Sequence, residues 1–192
     1  MNKRFFVLVG TSGSGKTTIM NLLREKHPEF CFPVAATTRD PRPHEVPGTT
    51  YTFVSDEEFQ RMIASGELLE WAINHSKEYY GMLRQPVVEA LEKGQIVVRE
   101  MSIAGLRETL ATDLGDQVHS IFLTPPSLEL MKQRILKRSH LPDEEIERRM
   151  ESAKKEIAES HICDTQILAE ENQVEKIYNQ VLDTILTVSG TK

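Results

Sequence analysis

Residues 10–18 read Gly10-Thr11-Ser12-Gly13-Ser14-Gly15-Lys16-Thr17-Thr18, and the spacing G-x-x-x-x-G-K-[ST] combines glycines, a lysine and a hydroxyl in a pattern suited to anion capture. Glycines accept backbone angles that side chains resist, so consecutive N–H groups can turn inward around a phosphate. The positive end of a following helix adds to that field. In this pattern Lys16 reaches the β- and γ-phosphates of a nucleoside triphosphate, and the Thr17 hydroxyl ligates Mg²⁺. Gly10 to Thr18 are therefore the candidate ATP-binding residues. A second anion site is written further along. Arg39 and Arg42, in a loop bounded by prolines, can present forked donors to one phosphate. Tyr51 and Tyr80 can donate hydroxyl hydrogen bonds to the remaining oxygens.

The flanking elements suit these roles. Residues 5–9 are an apolar run that reads as a buried strand, and 18–26 carry Ile19, Leu22 and Leu23 at helical spacing. A strand is expected at 32–37 and a proline-rich loop at 39–48, with short strands at 51–53, 67–72 and 79–80. Ser55 and Glu58 form a capping box for a helix that Gly66 ends. Helices are expected at 86–93, 105–111, 143–159 and 174–186, and one capped by Ser127 carries Leu128, Met131 and Ile135. Strands are expected at 96–98, 118–123 and 165–168. The helix at 143–159 is highly charged and is expected to lie mostly in solvent, and 189–192 read as a frayed tail. This alternation predicts an α/β fold, a P-loop NTPase-type parallel sheet with helices on both faces. A strand-rich insertion at 34–84 and a charged helical hairpin at 127–155 interrupt it, leaving core segments 1–33, 85–126 and 156–192.

Bulk properties narrow the classes. A chain of 192 residues suits one such domain. A formal charge of −6 argues against general nucleic-acid binding, which needs net basic surface. No apolar stretch approaches the ~18–20 residues that span a bilayer, so no membrane partner is expected and the cytoplasm is the default location. The apolar run after Lys3 and Arg4 ends at Gly10 and reads as a first strand, not a signal peptide. Cys31 and Cys163 have no metal-ligand or redox spacing. Nothing in the pattern specifies an oligomeric state.

The insertion carries a resemblance. Thr37-Thr38-Arg39-Asp40-Pro41-Arg42-Pro43-His44-Glu45-Val46-Pro47-Gly48, then Tyr51-Thr52-Phe53-Val54, Glu70-Trp71-Ala72 and Tyr79-Tyr80-Gly81 resemble the guanylate kinase family. In that family the pattern is T-T-R-x-P-R-x-x-E-x-x-G-x-x-Y-x-F-V, E-W-A and Y-Y-G. The likeness runs from the first strand to about residue 160. It implies a nucleoside monophosphate kinase converting ATP and GMP to ADP and GDP, with 34–84 as the NMP-binding insertion and 127–155 as a lid. It also implies that Arg39, Arg42, Tyr51 and Tyr80 hold the acceptor phosphate and that Glu70 accepts hydrogen bonds from the guanine N1–H and exocyclic amine. Arg134, Arg138 and Arg149 fall where the family keeps lid arginines that close over the transferring phosphoryl group. Glu100, in the place of a family carboxylate, would orient Mg²⁺ through water.

Departures cluster at the base pocket. Ala35, Met82 and Ser102 stand where the family directs polar groups at or near guanine, and one extra residue separates Glu70 from Tyr79. Ala169 replaces an asparagine that touches adenine. Ala35 and Met82 motivate a second reading, a kinase of the same fold with another nucleoside monophosphate or a phosphorylated sugar as acceptor. A third is a non-catalytic interaction module, against which Lys16, Thr17 and the lid arginines all argue.

Overall fold

Phe5–Gly10 forms β1, and all six of its residues are buried because a parallel strand pairs on each side. Its neighbours are β6 (Val97–Glu100) and β7 (Val118–Thr124), and β8 (Thr165–Leu168) extends the sheet beyond β7, giving the order β6-β1-β7-β8. The computed structural model describes every residue except 1, 42–44, 47, 49–50, 74–76, 139–141 and 192, together with the side chains at 134, 135, 137, 138 and 143.

Side chains of β1 alternate between two cores. Phe6 and Leu8 pack with Ile19, Met20 and Leu23 of α1 (Lys16–Lys26) and Ile177, Val181 and Ile185 of α7 (Val174–Ser189). Phe5, Val7 and Val9 face Val87 of α3 (Arg84–Glu92) and Ile103 and Leu106 of α4 (Ile103–Leu110). Each such side chain contributes about 1.5–3 kcal/mol on burial, so the sheet is held from both faces. The expected α/β architecture is the one observed. It brings the loop after β1 to the carboxyl edge of the sheet, where ligands of open parallel sheets bind.

The insertion builds a second sheet, in the order β3-β2-β5-β4, from β2 (Ala35–Thr37), β3 (Tyr51–Phe53), β4 (Leu68–Ile73) and β5 (Tyr79–Leu83). The strand expected at 32–37 is shorter, Ala35–Thr37, and the residue before the expected range, Cys31, joins the other sheet. Cys31 bridges to Val97 at the edge of the main sheet, Pro33 offers no N–H for a ladder, and Ala35 onward pairs with β3 and β5. One face of this sheet packs Ala36 against Phe59 and Met62 of α2 (Asp56–Ala64). Ser55 caps α2 by accepting from the Glu58 N–H at 3.1 Å, but the Glu58 carboxylate binds Arg61 and does not return to Ser55, so only half of the capping box forms.

Further differences have local causes. Helix α3 begins at Arg84, and Pro86 sits in its first turn, where its missing N–H would have lacked a partner anyway. Helix α4 begins at Ile103 because Ser102 caps it, accepting from the Gly105 N–H. The hairpin consists of α5 (Leu128–Arg138) and α6 (Asp143–Glu159), the latter spanning the helix expected at 143–159. Although charged, α6 buries Ile146 and Ala153, the latter packing on Met131 of α5. Among the described residues no helix is long and apolar enough to cross a membrane.

The expected frayed tail is ordered as far as Thr191. Ser189 is buried, Gly190 takes the left-handed conformation (φ 67°), and Thr191 N–H bonds to the Leu186 carbonyl at 3.0 Å. This is a Schellman ending, and it packs on Asn2 so closely that a Cβ at 190 would lie 2.2 Å from Asn2 Nδ2. Gly190→Ala should therefore lose about 1–2 kcal/mol of stability. Chemical denaturation would measure this, and an unchanged midpoint would show that the helix end carries no such strain.

Candidate active site

The donor side is built from the turn between β1 and α1. Gly13 and Gly15 have φ of 79° and 96°, the left-handed region that glycine tolerates. Gly15 is the N-cap of α1 and supplies no side-chain cap, so the positive end of the helix faces the loop without a capping side chain. Gly10 must be glycine for space as well, since a Cβ there would sit 2.8 Å from both the Leu123 carbonyl and Ser14 Oγ. The Lys16 ammonium curls back onto its own loop, donating to the Gly10 carbonyl and, at 3.0 Å, to the Thr11 carbonyl. A cavity of about 340 Å³ opens beside the loop, lined by Gly13, Ser14, Gly15, Thr18, Ala169 and Asn172 among others. Among the described residues, the buried Ser14 Oγ has no hydrogen-bond partner.

Thr17 Oγ1 donates to Glu100 Oε2 at 3.5 Å, so a hydroxyl and a carboxylate converge at the mouth of the loop. Hard oxygen donors of this kind suit Mg²⁺. Among the described residues no cluster of three or more His, Cys, Asp or Glu could cage a metal by itself.

The acceptor side lies on the face of the second sheet opposite α2. Tyr51, Ala35, Met82 and Glu70 form one cross-strand row, and Phe53, Thr37 and Tyr80 lie in the next row of that face. The rings of Tyr51 and Tyr80 meet edge to face with centroids 5.9 Å apart. Arg39 joins them, donating from Nε to the Tyr80 hydroxyl at 3.2 Å and lying 5.5 Å over the Tyr51 ring. Its fork, however, is filled by Glu45, with Nη1 at 2.9 Å and Nη2 at 2.8 Å from the two carboxylate oxygens. The side chains of this pair are only 11% and 6% exposed, and Glu45 holds Arg39 charged, well above the ordinary arginine range. Glu45 lay within the quoted motif without an assigned role. Its signal was a glutamate in a loop otherwise built to attract anions. Arg42 lies outside the described residues.

Glu70 sits at a β-bulge, where the pairing of β4 with β5 shifts between Leu68 and Glu70. Leu69 and Met82 both enter the core on the α3/α4 side, so the departure at 82 anchors the second sheet to the first. Ala35, its direct cross-strand partner, is also buried. Ser102 spends its hydroxyl capping α4. The Glu70 carboxyl reaches the same helix, with Oε2 only 2.9 Å from where a Cβ of Gly105 would stand. Burial pushes Glu70 up to about 7; the Arg99 guanidinium opposes this, Glu108 adds to it, and a backbone N–H from Met82 favours the carboxylate.

The helical hairpin closes the third side. Arg149 lines a cleft of about 550 Å³ with Ser12 of the phosphate loop, and its Nε binds Glu145 Oε1 at 2.8 Å. Arg134 and Arg138 lie on α5, and their side chains are outside the description. Sequence reasoning missed Glu156, which shares a cleft with Ser12, Lys16 and Glu100. Its carboxyl is raised by burial, against the opposing influence of Ser152 and Lys16. Arg149, Ser152 and Glu156 fall at i, i+3 and i+7, a single helical stripe that the sequence did display.

The guanylate kinase family profile matches residues 2–187. A guanylate kinase from Thermosynechococcus vestitus is 43% identical over 165 residues, 86% of this chain and 85% of the relative. One from Streptomyces kasugaensis is 40% identical over 189 residues, 98% of this chain and 90% of the relative. The crystal structure of guanylate kinase from Anaplasma phagocytophilum is similar with a TM-score of 0.75 at 26% identity, covering 96% of this chain and 85% of that one.

The Glu70 environment has a measurable consequence. Between the ordinary value of 4.5 and about 7, the folded chain holds a proton that the unfolded chain has released, so this group lowers stability as pH rises through that window. Glu70→Gln should melt above the parent at pH 8, with the gap shrinking as pH falls to 4.5. Thermal unfolding across that range would check it, and a gap that widened toward acid would contradict the assignment.

Proposed function

The chain belongs to the guanylate kinase family, and on that premise we propose that its two facing anion sites transfer the γ-phosphoryl group of ATP to GMP, releasing ADP and GDP. One observation carries this reading. The short segment from Glu100 to Gly105 touches both sites, since Glu100 meets Thr17 of the donor loop and Gly105 meets Glu70 of the acceptor sheet. That shared segment supports a donor and an acceptor held on either side of one backbone turn, the proximity that direct transfer requires.

The roles follow from chemistry. The N–H groups of Gly10 to Thr18 cradle the ATP phosphates, and Lys16 swings from its loop carbonyls onto the β- and γ-phosphates. Thr17 and Glu100 would hold Mg²⁺, the latter through water, and the ion when bound would neutralise charge on the phosphates. Tyr51, Tyr80 and Arg42, with Arg39 held in place by Glu45, take the GMP phosphate. The Glu70 carboxylate accepts from the guanine N1–H and exocyclic amine. Arg134, Arg138 and Arg149 bring positive charge to the equatorial oxygens as the lid closes and excludes water, which would otherwise take the phosphoryl group. Core segments 1–33, 85–126 and 156–192, the insertion 34–84 and the lid 127–155 divide these tasks. Purine nucleotide metabolism in the cytoplasm is the setting this reading implies, with ATP and GMP as partners and neither nucleic acid nor membrane involved.

Initial rates with ATP, Mg²⁺ and a panel of GMP, dGMP, AMP, UMP and ribose bisphosphate test the proposal. GMP should be turned over fastest, and faster turnover of AMP, UMP or the sugar phosphate would overturn it. Lys16→Met should lower kcat by about 10²–10³-fold, because it removes charge aimed at the transferring group. A variant of undiminished rate would remove Lys16 from the chemistry. Because Glu70 must be ionised to accept two hydrogen bonds, kcat/KM for GMP should rise with pH through about 7. A flat profile there would separate Glu70 from base recognition.

A further inference from the structure

Gly105 occupies the first turn of α4 with no backbone reason to be glycine. It is not among the glycines with positive φ, so residues with a side chain can adopt its conformation. Glycine is a poorer helix former than alanine, by roughly 0.5–1 kcal/mol in a helix interior, and this one is buried. Its missing side chain does one visible thing. The three nearest heavy atoms to a Cβ built there all belong to Glu70, with Oε2 at 2.9 Å, Cδ at 3.4 Å and Cγ at 3.6 Å. One helical turn later, Glu108 Oε2 accepts from the Trp71 N–H at 3.2 Å, tying the backbone next to Glu70 to the same helix. The turn before it is fixed as well, because Ser102 Oγ accepts from the Gly105 N–H at 3.1 Å. Helix α4 thus clamps the strand with Glu108 and leaves a seat for the carboxylate at Gly105.

We propose that Gly105 is a positioning residue for acceptor recognition, its bare Cα setting the depth at which the Glu70 carboxylate meets the two N–H donors on one edge of guanine. The inference rests on the reading of Glu70 as the base-recognising group and deepens it. Two acceptor oxygens can satisfy N1–H and the exocyclic amine together only if the carboxylate lies level with both. A methyl at 105 would push Oε2, the far end of a flexible side chain, out of that place. The helix itself would gain from the exchange. Recognition and stability should therefore move in opposite directions, which a packing role alone would not produce.

Steady-state kinetics and thermal unfolding of the full chain carrying Gly105→Ala, Glu70→Gln or both supply the test, with ATP, Mg²⁺ and either GMP or IMP, which lacks the exocyclic amine. In Gly105→Ala the KM for GMP should rise about tenfold or more, as expected for a lost hydrogen bond to a charged group. The preference for GMP over IMP should fall, the KM for ATP should hold, and Tm should hold or rise by about 2 °C. Adding Gly105→Ala to Glu70→Gln should change the GMP KM by less than about twofold, since residues acting through one contact are not additive. If Glu70→Gln raises the GMP KM while Gly105→Ala leaves KM and the GMP/IMP preference unaltered, the inference fails alone. If Glu70→Gln leaves GMP binding untouched, the base-site reading fails and this inference with it. A Tm lowered by more than about 5 °C in Gly105→Ala would also overturn it, because the carboxylate would not then be the part that yields.

Discussion

The turn from β6 into α4 is the constraint on which the site depends. Glu100 ends the edge strand of the parallel sheet and reaches Thr17, and five residues later Gly105 lies against Glu70 of the second sheet. Ser102 caps α4 between them, so the turn is held by a hydrogen bond within itself. In the proposed transfer a triphosphate on the phosphate loop and a monophosphate on the Arg/Tyr sheet need a common support, and this short segment touches both.

Charge on the acceptor side is arranged at some cost. The Arg39–Glu45 pair is nearly buried, and such pairs repay their desolvation only when their geometry is good. Here it is a two-point fork with Tyr80 on the remaining nitrogen, which fixes the guanidinium plane against Tyr51. Glu70 is in the opposite position, pushed toward its neutral form by burial and by Glu108, and balanced by Arg99 and a backbone N–H. Perturbed groups of this kind concentrate at functional sites because the protein environment sets their protonation for a task.

The apolar departures at the base pocket, Ala35 and Met82, have a structural role in the folded chain. Met82 and Leu69 carry the second sheet into the core of the first, and Ala35 lies buried beside Met82. The hairpin shows a related economy. Its charged helix α6 buries Ile146 and Ala153, and turns the Arg149–Ser152–Glu156 stripe toward the phosphate loop.

Local pattern alone identified the glycine-rich loop between β1 and α1 and the alternation of strands and helices, and it raised Arg39, Tyr51 and Tyr80 as candidates, because glycine geometry, hydrophobic period and turn chemistry act over a few residues. It placed Glu70 and Glu100 among the site residues through the family likeness. It did not show that Cys31 joins one sheet and Ala35–Thr37 the other, since pairing with Val97 on one side and Tyr51 on the other is non-local. Nor did it show that Glu45 fills the Arg39 fork, that Glu156 enters the donor cleft, or that Gly105 makes room for Glu70. Each of those depends on which side chains the packed elements bring within a few ångströms, and only the tertiary structure decides that, because contact and burial are properties of the assembled sheets and helices.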